Sequence, residues 1–359
     1  MRSNSRFSFA HDASRQSGFT LIEIMIGLAI GMLLTLVIIQ VMSVFEAQTR
    51  TTSGTADAQT NGGIALYSIT REIQMTGYGI LPVTNSAHEC TALTINGALD
   101  PTVPNRLTSV TIADGAAPAG DTITLRYANS TMGGVPTQIT VVGAPTANDV
   151  TVGSNLGCVV NDVSLVTNGT TCSMSTVTNV SAAGAVPITV RLANMTATAL
   201  NANLACLGTW NEVTYRVVNG NLERSGVPSV PGIVGLKAQY GISAAANSNQ
   251  VNQWVNATGA WAAPTVANRN RIKAIRVAVV ARNAKAEMSD VSSACSSTIL
   301  PAPTGLCAWV GMAAPPMAVS SPAPTIDMSV GTPDWQRYRY RVFETIIPLR
   351  NIVWARATL

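Results

Sequence analysis

The chain is 359 residues long, 47% hydrophobic and only 11% charged, with a formal net charge of +4. That composition excludes an ordinary surface of alternating lysine and glutamate and gives no support to direct nucleic-acid binding, so Thr, Ser, Asn and Gly must cover the faces in water. The first 80 residues differ so sharply from the rest that the chain reads as a stalk followed by one head.

Residues 1–18 are polar and carry Arg2, Arg6 and Arg15 against Asp12. A continuous apolar run then starts abruptly at Phe19. A secretory signal peptide carries its apolar core ahead of the cleavage site, whereas the candidate site here, Gly18, precedes the core, so cleavage would leave the apolar segment attached. Ile24 to Phe45 holds 22 residues without a charge, about 33 Å of helix against a bilayer core of about 30 Å. One membrane span is expected, with the basic leader in the cytoplasm and the head across the membrane. Glu23 is the anomaly. An acid one turn inside an apolar helix costs about 2.5 to 3.5 kcal/mol, and a new α-amino group on Phe19 of a neighbouring subunit would neutralise it.

Gly18-Phe19-Thr20-Leu21-Ile22-Glu23 is similar to the class III signal of type IV pilins and type II secretion pseudopilins. The resemblance implies that prepilin peptidase, a membrane-embedded aspartyl peptidase, cuts after Gly18, that the new N-terminal Phe19 is methylated, and that Glu23 directs assembly.

The chain's first proline is Pro82, so one helix is allowed over Phe19–Thr76, about 87 Å if unbroken. Leu66, Ile69 and Ile73 recur at helical spacing beside polar Ser68, Arg71 and Glu72, which predicts an amphipathic second half packed on a sheet. Gly54 and Gly62-Gly63 are predicted places for a bend or a melted turn. Gly77, Gly79 and Pro82 mark the stop.

From residue 85 onward short β-type runs alternate with turn signals. Asn219-Gly220 predicts a type I′ hairpin joining Val213–Val218 to Leu222–Arg224. Further strands are expected at Asp121–Tyr127, Ile139–Val142, Ile188–Leu192, Val234–Ile242, Ile272–Arg282 and Arg337–Ile347. In the last of these, Arg337, Arg339 and Arg341 fall on a solvated side. Asp100–Gly120, Gly143–Ser154 and Ala244–Asn270 read as loops or irregular β excursions, Pro-rich Ala313–Pro333 as a surface loop, and Leu349–Leu359 as a short tail.

Cys90, Cys158, Cys172, Cys206, Cys295 and Cys307 are even in number and form no C-x-x-C pair, which favours disulfides in an oxidising compartment over a metal site. Cys295 with Cys307 suits a local staple and Cys158 with Cys172 a second. Cys90 and Cys206 complete the set, and the connectivity stays open among fifteen possibilities. His88 is the only histidine after the leader, and no Ser-His-Asp set, H-E-x-x-H, G-x-S-x-G or phosphate-binding loop accompanies it, so no enzyme, cofactor or metal is expected. The tryptophans read as core anchors.

Several segments in order resemble the PilW branch of minor pilins: TREIQMTGYG at 70–79, GDTITLRY at 120–127, VTYRVVNGNLERSG at 213–226, LKAQYGIS at 236–243, RIKAIRVAVVAR at 271–282 and YRYRVFETIIPLRN at 338–351. The resemblance implies an α+β type IV pilin fold. Its parts would be a leader at 1–18, a membrane helix at 19–45, an amphipathic continuation at 46–80 and a β-rich periplasmic or extracellular head at 81–359. It implies a minor pilin that joins other minor pilins and the assembly platform at the inner membrane, then the pilus fibre or tip, in twitching motility, adhesion or DNA uptake. A minor pseudopilin and a non-polymerising, membrane-anchored binding protein are the alternatives.

Overall fold

The computed structural model describes residues 18–80, 90–102, 104–142, 148–194, 202–296, 304–309, 321 and 323–354. The expected leader up to Ser17, Pro82, His88, most of the stretch 310–322 and the end of the tail lie outside the described residues. The chain divides into two units, residues 1–53 and 54–359, and the division falls within one helix, α1 (Leu21–Met75). In the first unit every described side chain of the uncharged run Ile24–Phe45 is exposed. An apolar surface of that extent is stable only when lipid or other apolar helices cover it.

The second unit begins with the rest of α1. Ala58, Ala65, Ile69 and Ile73 are buried at the i, i+3, i+4 spacing that puts them on one face. The predicted weak spots are helical instead. A Cβ at Gly54 would lie 2.0 Å from the Asn283 side chain, and one at Gly62 would lie 2.1 Å from the Phe343 ring, so these glycines let α1 approach its neighbours closely. Only Gly63 faces open space. Glu72, expected on the polar side, is 8% exposed.

After α1 come β1 (Ala92–Ile95), β2 (Ala98–Leu99), β3 (Val110–Ala113), β4 (Thr122–Ala128), β5 (Thr137–Val142), β6 (Asp149–Val152), β7 (Val163–Thr167), β8 (Thr171–Val180), β9 (Thr189–Leu192) and β10 (Asn203–Gly208). Then follow β11 (Trp210–Val218), β12 (Asn221–Arg224), β13 (Val227–Pro231), β14 (Ile233–Ser243), β15 (Val251–Val255), α2 (Val266–Arg269), β16 (Ile272–Arg282), β17 (Tyr340–Pro348) and α3 (Arg350–Trp354). The α+β fold expected from the sequence is therefore present.

Three sheets result. One is antiparallel in the order β15-β14-β16-β17, and a second runs β13-β12-β11-β4-β3, also antiparallel. Asn219 and Gly220 both take positive φ, 49° and 73°, as a type I′ turn requires between β11 and β12. In the main core Ile275, Val277 and Val279 meet Ile69 and Ile73 of α1, together with Ile123, Leu125 and Tyr215 of the second sheet.

β16 is buried along its length because its other face is covered too. Ala278 and Val280 pack there against Leu306, Ala308, Ile326 and Met328. The stretch read as a surface loop is therefore, where described, partly a lid on the sheet, since Ala323, Ile326 and Met328 are buried. Arg276 stands in this layer with its guanidinium carbon 5.1 Å from the Trp254 ring and 4.8 Å from the Trp309 ring, and Nε donates to Gln239 Oε1. Burial pulls its pKa down to about 10, with Glu344 opposing.

The third sheet holds eight strands, and six of them close on themselves. β8 pairs through Cys172–Thr176 with β7 and through Val177–Val180 with β9, and the circuit β8-β7-β10-β5-β6-β9 returns to β8, antiparallel throughout. Its core is Ile139, Val150, Val152, Val177, Val190 and Leu204 with their neighbours. β1 adds parallel to β8, and β2 folds back on β1.

Cys295 is bonded to Cys307. The other suggested pairing, Cys158 with Cys172, is not the one formed. Cys90 joins Cys172, with Cα atoms 5.8 Å apart, and Cys158 joins Cys206, 5.1 Å apart. Strand order decides this. The parallel pairing of β1 brings the residue just before it to the start of β8, while Cys206 on β10 and Cys158 both belong to the interior of the ring.

Arg337, expected in the last strand, lies in a 3-10 turn (Trp335–Arg337). Its Nε donates to the Glu287 carbonyl, and Arg339 pairs with the Glu287 carboxylate at 2.9 Å, so part of the arginine row is committed within the head. The expected tail is α3, with Leu349 and Ile352 buried. The expected loops contain β3, β6, β15 and α2.

Candidate functional site

Gly18, Phe19 and Thr20 lie outside regular structure just ahead of α1. Phe19 is 85% exposed, and a Cβ at Gly18 would meet nothing within 4 Å, so the Gly18–Phe19 peptide bond stands in open backbone. Helix starts leave backbone N–H groups without partners, and Thr20 with Glu23 satisfies them reciprocally. The Thr20 hydroxyl accepts from Glu23 N at 3.4 Å, while Thr20 N and Oγ1 each donate to Glu23 Oε2 at 2.9 Å. Thr20 is therefore the N-cap and Glu23 the third helical residue of a capping box. The arrangement sets the carboxylate at the positive end of the helix dipole and leaves Oε1 with no hydrogen bond among the described residues. The T-x-x-E spacing carries this signal in plain sequence, yet the expectation named Glu23 without Thr20.

A second constellation joins segments that are remote in sequence. Glu72 Oε1 accepts from Arg224 Nη2 at 2.6 Å and Nε at 2.9 Å, tying α1 to β12. Burial, then the neighbouring Glu72, pushes the Tyr215 phenol well above its usual range, and the bond to Glu72 raises the Arg224 guanidinium. Asp121 accepts from Lys237 Nζ at 2.7 Å and from Ala238 N at 2.8 Å, linking the start of β4 to β14. Asn351 Nδ2 donates to the carbonyls of Gln74, Met75 and Thr76 at 3.1 to 3.3 Å, closing the C-terminal end of α1. These residues come from the same short segments that carried the resemblance, so the segments are the pieces that meet around α1.

Residues 13–39 match the prokaryotic N-terminal methylation motif, which covers Gly18, Phe19, Thr20 and Glu23. Residues 212–351 match the family described as PilW, Type IV Pilus-assembly protein W. The chain thus joins a pilin-type N-terminal methylation motif to a PilW-type region. Its PilW region runs from β11 through β17 to Asn351, the residue that caps α1. The six-strand ring lies wholly before that region. Among solved structures, a type IV-like pilin from Thermus thermophilus is 9% identical, with a TM-score of 0.33 over 82% of this chain and 96% of that one. No curated protein matches. Among the described residues no three His, Cys, Asp or Glu side chains gather as a metal site.

Proposed function

We propose that the chain is a minor pilin that joins other minor pilins at the inner membrane to prime assembly of a type IV pilus. The observation that carries the reading is the start of α1: an open Gly18–Phe19 bond, a capping box that fixes Glu23, and 22 uncharged, exposed residues from Ile24. In this reading residues 1–18 are the leader. Prepilin peptidase cuts after Gly18, Phe19 is methylated, 19–45 cross the membrane, 46–80 continue the helix, and 81–359 form a head in the periplasm and later at the fibre or its tip. Cleavage creates an α-amino group on Phe19, the residue just before the N-cap Thr20. Oε1 of Glu23 then accepts from the Phe19 amine of an adjacent subunit, which offsets the cost of an acid in an apolar helix bundle. The role is assembly, without catalysis, and motility, adhesion and DNA uptake are the tasks such a pilus serves.

The test is N-terminal mass spectrometry of the membrane-extracted protein from its own host, as wild type and as Glu23→Ala. A mature chain that begins at methylated Phe19, with less co-purification of partner pilins by Glu23→Ala, is the expected result. Retention of residues 1–18 overturns the reading.

A further inference from the structure

Beyond the assembly role, the described residues hold an open cleft of about 140 Å³ where the ring sheet meets the start of β11. All of its lining precedes the PilW region. Ile95 and Met174 form apolar floor, and Arg106, Asn96, Thr176 and Trp210 bring polar groups. We propose that this cleft binds an acidic saccharide of the uronate class: Arg106 grips the carboxylate, the Trp210 indole lies against the C–H face of the ring, and Asn96 and Thr176 meet hydroxyls.

The Arg106 guanidinium is half-exposed and only loosely ion-paired, with Asp100. Its backbone N–H donates to Asp100 Oδ2 at 3.0 Å, and Asp100, whose side chain is 1% exposed, also accepts from Thr102 N and Oγ1. The loop is thereby fixed. Arg106 Nε nevertheless stands 3.9 Å from Asp100 Oδ1, beyond hydrogen-bond length, and its side chain is 48% exposed. Among the described residues the guanidinium makes no hydrogen bond, and neither do the Trp210 indole N–H, the Asn96 amide and the Thr176 hydroxyl. Asn96 is placed by a tight turn in which it and Gly97 take φ of 48° and 88°, and its backbone N–H donates to the Met174 carbonyl at 2.9 Å.

The ligand class follows from this donor set. A planar guanidinium fork matches a carboxylate bidentately. One aromatic face beside amide and hydroxyl groups suits a ring with hydroxyls and an apolar side that rests partly in an open cleft. A single cation does not provide the basic track that a run of nucleic-acid phosphates needs.

The test titrates detergent-solubilised full-length protein with digalacturonate, its dimethyl ester, an acidic Glu-rich peptide and an oligo-dT strand, by calorimetry and tryptophan fluorescence, for wild type and Arg106→Gln. Arg106 is at the surface, so the variant folds, as unchanged thermal unfolding confirms. Digalacturonate should bind wild type with a Kd below about 10 mM, and both the dimethyl ester and Arg106→Gln should weaken binding about tenfold or more. Failure of digalacturonate to bind, equal binding by the ester or by Arg106→Gln, or tighter binding of the peptide or oligo-dT each overturns the proposal.

Discussion

The sheet of the PilW region and the ring that precedes it are built from similar short antiparallel strands, but they are closed in opposite ways. The PilW-region sheet depends on other elements to cover it. α1 covers one face of β16, residues from 304 to 328 cover the other, and polar links such as Glu72 to Arg224 and Asn351 to the end of α1 set the positions. The ring is covered on one side as well, where Leu165, Met174, Ala205 and Leu207 pack with Ile80, Leu107 and Ala128, but its closure is its own. It removes its own edges by pairing β8 with both β7 and β9, fills a small core with valine, isoleucine and leucine, and adds Cys158–Cys206 inside and Cys90–Cys172 at the start of β8. A sheet covered by distant segments fails when one of them is lost, whereas a small closed ring fails when its cross-links are lost.

The largest effect should come from Cys90→Ser with Cys172→Ser, which opens a covalent loop with a sequence separation of 82 and should cost about 4 kcal/mol. Hydrogen exchange should show protection lost in β7, β8 and β10 and kept in β16; equal loss in both would break the contrast. Next, Gly120→Ala attacks the PilW side without touching a disulfide. Gly120 has φ of 84°, and a Cβ there would lie 2.1 Å from the Leu236 carbonyl oxygen. A loss of about 3 kcal/mol is expected, with thermal unfolding lowered and exchange rising first in β14.

Glu72→Gln should cost about 1 to 2 kcal/mol, kept modest because Arg224 is 46% exposed and stays hydrated. Denaturant titration checks it, and a loss in the range of the disulfide variant would mean the ion pair does more than position α1. The smallest effect is a pH dependence at the cleft. Burial opposes ionisation of Asp100, but the N–H of Arg106 and the hydroxyl and N–H of Thr102 outweigh it, so the carboxyl titrates below its ordinary 3.8. As pH falls the unfolded chain takes up the proton first. The stability from Asp100 is thus present above 3.8 and lost as pH drops through the lower folded value. Urea midpoints of Asp100→Asn and wild type should converge only as pH falls below the ordinary 3.8 and on through the lower folded value.

The contrast also explains which parts were legible in sequence. β16 was readable to its ends, because a strand buried on both faces is rich in isoleucine, valine and alanine, interrupted here only by Lys273 and Arg276. The β11–β12 turn was readable from Asn219-Gly220. The start of α1 was readable in Gly18, Phe19 and Glu23, although the N-cap role of Thr20 is hidden because Glu23 also stands out as the one charge of the apolar run. The ring was not readable as a ring. Its strands bury Ser164, Ser173, Ser175 and Thr167 beside apolar residues, with hydroxyls such as Ser164 Oγ bonded to the Ser175 carbonyl at 2.8 Å, so polar and apolar positions do not alternate. Asn168-Gly169, between β7 and β8, is the same dipeptide signal as the recognised turn and would have exposed that pair. The closure itself rests on pairings such as β8 with β9 and β10 with β5, which no local pattern announces. The cover of β16 was missed because its buried Ala323, Ile326 and Met328 are scattered among prolines with no period.

The cap on α1 sets an order of events during synthesis. The carbonyls of Gln74 to Thr76 emerge from the ribosome early, but the amide that satisfies them belongs to Asn351, up to 277 positions later. The helix made first is thus sealed late, and a chain that stops before Asn351 would leave the C-terminal carbonyls of α1 without this partner.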